Sequence, residues 1–152
     1  MTSSDTDIAS ELNEKNKHRV RAGKSSAGLG LFAKDTFKKG ERIVEYVGKR
    51  LTNKEVEAIR SNKYLLEINS KVTIDGSPRI NIARYANHSC KPNAEADIIR
   101  RRMFLLAKKT ILPGDEITWD YGKEYFNEYI KKGNCRCAPC DSGSSTSKTA
   151  RA

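Results

Sequence analysis

Hydrophobic positions in this chain come in short runs. Val20–Ala22, Leu29–Ala33, Ile43–Gly48, Leu65–Ile68, Val72–Asp75, Ala94–Ile98, Met103–Ala107 and Ile117–Tyr121 set β-branched or aromatic residues between turn signals, and each predicts a strand. Lys39-Gly40, Asp75-Gly76 and Pro113-Gly114-Asp115 predict the turns. Helical spacing is scarcer. Thr52 and Glu55 stand as a capping box ahead of Val56 and Ile59. Ile80–Ala86 has room for one or two helical turns, and Lys123–Lys131 carries Tyr125, Phe126, Tyr129 and Ile130 at helical spacing. The balance predicts a mainly β domain with short helices, not the strand–helix alternation of a doubly wound sheet. Up to about Asn16 the chain is polar, apart from Ile8 and Leu12, and fits one short helix or a loose segment. After Asp141 the run SGSSTSKTARA has no large apolar residue and reads as a disordered tail. The folded part is expected from about His18 to Asp141.

Composition narrows the class. The 152 residues suit one domain, with 37% hydrophobic and 32% charged residues. No apolar run reaches the ~18 residues of a membrane span, and no apolar block follows a basic start. Neither a membrane partner nor secretion is expected, and the chain is assigned to an intracellular, reducing compartment. A net charge of +10 favours acidic partners, nucleic acid among them. Arg100-Arg101-Arg102 is either a contact for such a partner or a solvated strand edge.

Four motifs carry candidate chemistry. Gly28-Leu29-Gly30-Leu31-Phe32-Ala33 matches a dinucleotide-binding fingerprint, but too few residues precede Gly40 for the helix that should follow. The remaining readings are a tight turn into a strand, or glycines that let main chain approach a bound cofactor. Asn87-His88-Ser89-Cys90-Lys91-Pro92-Asn93 is the densest polar cluster. It suits either a polar ligand edge or a capped helix end with a turn at Pro92. In Glu116-Ile117-Thr118-Trp119-Asp120-Tyr121-Gly122, Trp119 and Tyr121 share a strand face and read as core aromatics or as an aromatic wall. Cys135, Cys137 and Cys140 lie within CRCAPC, and Cys90 about 45 residues upstream can complete four thiolates for a structural zinc ion.

Taken together these motifs resemble the SET-domain protein lysine methyltransferases. The likeness runs from SSAGLGLFAK through KKGERIVEYVGKRLT, YLLEI and NIARYANHSCKPN to LPGDEITWDYG and CRCAPC. It implies a SET-domain fold of small β-sheets with short helices and a pseudoknot-like threaded NHSC segment. The implied parts are a SET domain at 18–126, a post-SET zinc segment at 127–141 and a tail at 142–152. The resemblance implies that Gly28, Leu29, Gly30, Asn87, His88 and Tyr121 bind S-adenosylmethionine. Tyr121 and Tyr46 would be catalytic, and Tyr46, Tyr64 and Trp119 would line the lysine channel. Cys90, Cys135, Cys137 and Cys140 would hold zinc. The implied partner is a lysine-bearing protein, a histone or other chromatin protein being one candidate. Two departures stand out. The last cysteine follows two residues after Cys137 where the family commonly has four, and Trp119 replaces the usual Phe or Tyr. That indole should crowd the channel and favour mono- or dimethylation. Rival readings are a non-catalytic module of the same shape and a basic, zinc-bearing nucleic-acid binder. Ser147-Lys148-Thr149-Ala150-Arg151 resembles a histone tail in composition, so Lys148 is a candidate for self-methylation.

Overall fold

Polar side chains begin the packed structure earlier than His18. The computed structural model describes residues 10–26, 28–59 and 64–121. Its first element, α1 (Glu11–Asn16), is capped by the Ser10 hydroxyl, which accepts from Asn13 N–H. Asn13 and the buried Asn16 then bond to main chain: Asn13 Oδ1 accepts from Glu45 N–H, Asn13 Nδ2 donates to Glu45 O, and Asn16 Nδ2 donates to Ile43 O. Ser10 also donates to the buried Glu45 carboxylate, which takes two further bonds from Arg102. Amide-to-backbone docking leaves no hydrophobic trace in a sequence, so the helix falls outside the expected folded part.

Ten strands follow among the described residues: β1 (Val20–Ser25), β2 (Gly28–Ala33), β3 (Arg42–Tyr46), β4 (Lys49–Leu51), β5 (Leu65–Glu67), β6 (Thr73–Asp75), β7 (Asn87–His88), β8 (Ala94–Ile99), β9 (Arg102–Ala107) and β10 (Glu116–Trp119). They form three small sheets in the orders β1-β2-β10-β7, β3-β9-β8 and β4-β6-β5. Helix α2 (Asn53–Glu57) starts at the Thr52–Glu55 capping box, and Ile82–Tyr85 forms a single 3-10 turn. The architecture is therefore mainly β with short helices, as expected. The predicted helix at Lys123–Lys131 lies outside the described residues.

Burial explains the arrangement. Central strand β9 buries Met103, Phe104 and Leu105 in succession, because β3 and β8 flank it and both of its faces are covered. Leu31, Phe37, Ile43, Ile74, Ile111 and Ile117 join this core with essentially no exposure. Two strands escaped the pattern reading. β4 (KRL) and β7 (NH) are too short and polar to show an alternation. β7 also replaces the capped helix end that the NHSC segment could have formed. β10 stops at Trp119, two residues before the expected limit.

The β8–β9 hairpin closes with two residues. Ile99 pairs with Arg102, and Arg100 and Arg101 between them have φ of 53° and 63°. Each left-handed residue with a Cβ costs about 1 kcal/mol relative to glycine.

Candidate active site

The site is built around β10, which is held on both edges. On one edge Glu116 and Ile117 pair antiparallel with Phe32 and Leu31 of β2. On the other, Thr118 and Trp119 pair in parallel with Asn87 and His88 of β7. Parallel neighbours need a long connection, and here the chain from His88 to Thr118 runs through the whole β8–β9 hairpin. Asn93, the last residue of NHSCKPN, extends the ladder: its Nδ2 donates to Glu116 O and its Oδ1 accepts from Thr118 N–H. Ser89 N–H donates to Trp119 O. The polar cluster is thus largely a brace for the strand that carries Trp119 towards Tyr121.

Around Asn87 the donors and acceptors converge. Its Nδ2 lies 2.8 Å from Leu29 O, 3.0 Å from Glu116 Oε2 and 3.1 Å from Ser25 Oγ. Three acceptors about one point suit a small cationic donor as well as an amide. Gly30 packs closely beside them: a Cβ there would come 2.5 Å from Glu116 Oε2 and 3.2 Å from Asn87 Nδ2, so the Glu116 carboxylate would have to move. Gly28 has a φ of +99°, which favours glycine. Gly28 and Leu29 are exposed while Gly30 is buried, so the strand presents main chain at its open end. This cradle, which one methyl group would fill, fits the main-chain and amide contacts expected for S-adenosylmethionine.

His88 is buried, and its Nδ1 accepts from Tyr121 N–H at 3.1 Å. Burial pushes its pKa down against the opposing charge of Asp120. The neutral ring that accepts at Nδ1 carries its proton on Nε2, 3.7 Å from Cys90 Sγ. His88 therefore links the exposed Cys90 to the backbone of Tyr121. Cys135, Cys137 and Cys140 lie outside the described residues, and no set of three or more metal-ligating side chains occurs among the described ones.

Aromatic rings form the other wall. Trp119 and Tyr121 meet edge to face at 5.1 Å, and Tyr121 meets His88 at 5.3 Å. The Tyr121 hydroxyl donates to Ala86 O at 2.7 Å. Trp119 is only 8% exposed, and its indole N–H, itself buried, has no hydrogen-bond partner among the described residues. A buried donor left unmade costs about 1–3 kcal/mol, so a water or ligand oxygen would be welcome there. Tyr46 is buried and its hydroxyl donates to Tyr64 O at 2.7 Å.

The 3-10 turn joins these two groups. Arg84 lies 4.3 Å over the Tyr64 ring and 5.1 Å over the Tyr85 ring, and donates to the Tyr85 hydroxyl. Two residues later, Ala86 O receives Tyr121. One short segment thus braces the phenols on both sides. No individual role was assigned from sequence to Arg84, Ser25, Glu116 or Asn93, although Glu116 and Asn93 fall inside the motifs quoted. Arg84 and Asn93 sit within or beside the motif already noticed, but their partners are distant in the chain.

Residues 28–122 match the SET domain. Similar proteins include a histone-lysine N-methyltransferase of Schizosaccharomyces pombe described as H3 lysine-4 specific, 36% identical over 121 residues. The alignment covers 72% of this chain and 13% of that relative. The Saccharomyces cerevisiae protein of the same description is 31% identical over 84% of this chain and 13% of its own length. Drosophila melanogaster histone-lysine N-methyltransferase Set2 is 33% identical over 72% of this chain and 5% of its own length. The chain spans a small part of these curated relatives. Matched over most of its described residues, with the NHSC segment laid beside the strand that leads to Tyr121, the chain belongs to the SET-domain family.

Proposed function

We propose that this chain transfers methyl groups from S-adenosylmethionine to lysine side-chain amines of a protein, with histones the substrate class to which its relatives' names point. The observation that carries this reading is the parallel pairing of Asn87–His88 with Thr118–Trp119, which draws the acceptor cluster and Tyr121 to one site.

When bound, the cofactor supplies a sulfonium-activated methyl group for in-line displacement. Asn87, with Leu29 O, Glu116 and Ser25 nearby, would hold its charged amino-acid end. Gly28 and Gly30 keep side chains out of its way, and His88 fixes the backbone at Tyr121. A lysine amine with a free pKa of about 10.4 must shed its proton to act. Walls of Tyr46, Tyr64 and Trp119 disfavour the ammonium by removing it from water, and pass its alkyl stem. Aligning a neutral nitrogen about 3–3.5 Å from the carbon it attacks supplies much of the rate. The Tyr121 hydroxyl spends its proton on Ala86 O, so its oxygen remains an acceptor for the partial positive charge of the reacting groups. Trp119 reduces room in the channel, and its N–H is suited to hold one water; both favour mono- or dimethylation.

Cys90 with Cys135, Cys137 and Cys140 would bind structural zinc, a thiolate set suited to that ion and to a reducing compartment. Metal analysis is expected to find one zinc per chain, and chelation to lower the melting temperature; a metal-free, equally stable chain would remove this part.

With labelled cofactor, basic proteins such as histones should acquire label on lysine, and Tyr121→Phe should lose most of it while still binding cofactor in calorimetry. Absence of both labelling and cofactor binding would overturn the reading.

A further inference from the structure

We propose that the β8–β9 hairpin tip docks on the phosphate backbone of double-stranded nucleic acid. A two-residue hairpin turn with both residues left-handed is the setting in which Asn-Gly sits with least strain. This chain instead places Arg100 and Arg101 there, both exposed. The fold brings in a third cation: Arg50 of β4 donates Nη1 to Arg101 O, and its Nε is buried without a partner among the described residues. Two carboxylates of the β3-β9-β8 sheet are engaged elsewhere. Glu45 is held by Arg102 and Asp97 by Arg42, and none of Arg50, Arg100 and Arg101 forms an ion pair among the described residues. The Arg50 guanidinium thus lies against the main chain of the turn that carries the two exposed arginines, and a counter-charge would complement this positive tip.

The form of that counter-charge follows from the tip. Guanidinium forks match phosphate oxygens two at a time. A two-stranded β-ribbon is narrow enough to approach a groove of duplex DNA, and the chain's +10 charge adds attraction at longer range. Ile98 and Ile99 flank the cations and are 46% and 45% exposed. An acidic protein would use both the arginines and these isoleucines, whereas a phosphate backbone needs mainly the arginines. The charged run that from sequence was either a contact or a solvated edge is thereby assigned to contact. This inference does not depend on the methyl-transfer reading.

The test is fluorescence anisotropy of a short labelled DNA duplex with the full chain over a salt series. The double variant Arg100→Asn/Arg101→Gly removes two cations while giving the turn its preferred residues. It is expected to melt about 4 °C higher, to bind the duplex at least ten-fold more weakly, and to flatten the slope of log affinity against log salt by about two. Arg100→Lys/Arg101→Lys keeps the charge and should keep the slope. Ile98→Thr/Ile99→Thr should bind nearly as the parent does. Three results would overturn the proposal: duplex affinity unchanged in the Asn-Gly variant, an equal loss in the threonine variant, or displacement of the duplex by a poly-glutamate peptide at matched charge. The last two would point to an acidic protein surface.

Discussion

The strand pair β7–β10 and the hairpin tip β8–β9 handle polar groups in opposite ways. Beside β10, Asn87 reaches three acceptors and Asn93 two backbone groups. At the tip, two arginines occupy left-handed backbone, and a third brings a buried N–H with no partner among the described residues. In the first region the amides of Asn87 and Asn93 are satisfied within the chain, whereas the arginines at the tip have no ion-pair partner among the described residues. A polar residue in a motif can therefore be a brace, while an unremarkable charge run can be the surface that waits for a ligand.

That contrast can be broken at graded strength. The largest loss is expected at the brace nearest the ligand: Asn87→Ala should weaken cofactor binding about ten-fold or more, read by calorimetry, since it removes a charge-complementary amide and strands Glu116 beside Leu29 O. Next, Asn93→Ala leaves Glu116 O and Thr118 N–H without partners and should cost about 2 kcal/mol of stability in denaturant unfolding. Thr52→Ala, which opens the capping box of the fully surface-lying α2, should cost about 1 kcal/mol. The smallest effect concerns acid. Burial works against the Glu41 carboxylate, but hydrogen bonds from Lys38 N–H and Arg19, with the charge of Arg19, hold its pKa below the ordinary 4.5. Its contribution is then complete above about pH 4.5 and lost as pH falls through the lower folded value. Melting temperature should decline over that acid range, and Glu41→Gln should reduce the decline.

Many strand positions were legible because runs of β-branched and aromatic residues stand between Gly and Pro turns; β2, β8, β9 and most of β10 fall on such runs. The capping box at Thr52 was legible for a similar reason, since its donors and acceptors are three residues apart. β4, β7 and the docking of α1 were not, because each is held by backbone or amide bonds to residues far along the chain. The same limit applies to the site. The motif residues Asn87, His88 and Tyr121 could be named from the resemblance, while Arg84, Glu116 and Ser25 acquire meaning only from partners up to 62 residues away.

What the sequence determined alone is local: which segments can be strands, where a helix is capped, which residue types could hold a sulfonium donor or a soft metal. Only the tertiary structure decided that Asn93 serves β10, that Arg84 stands between two sets of phenols, and that Arg50 joins Arg100 and Arg101. Local preference acts over one turn or one strand. A hydrogen bond between distant residues exists only after the intervening chain has been placed, and no spacing along the sequence encodes it.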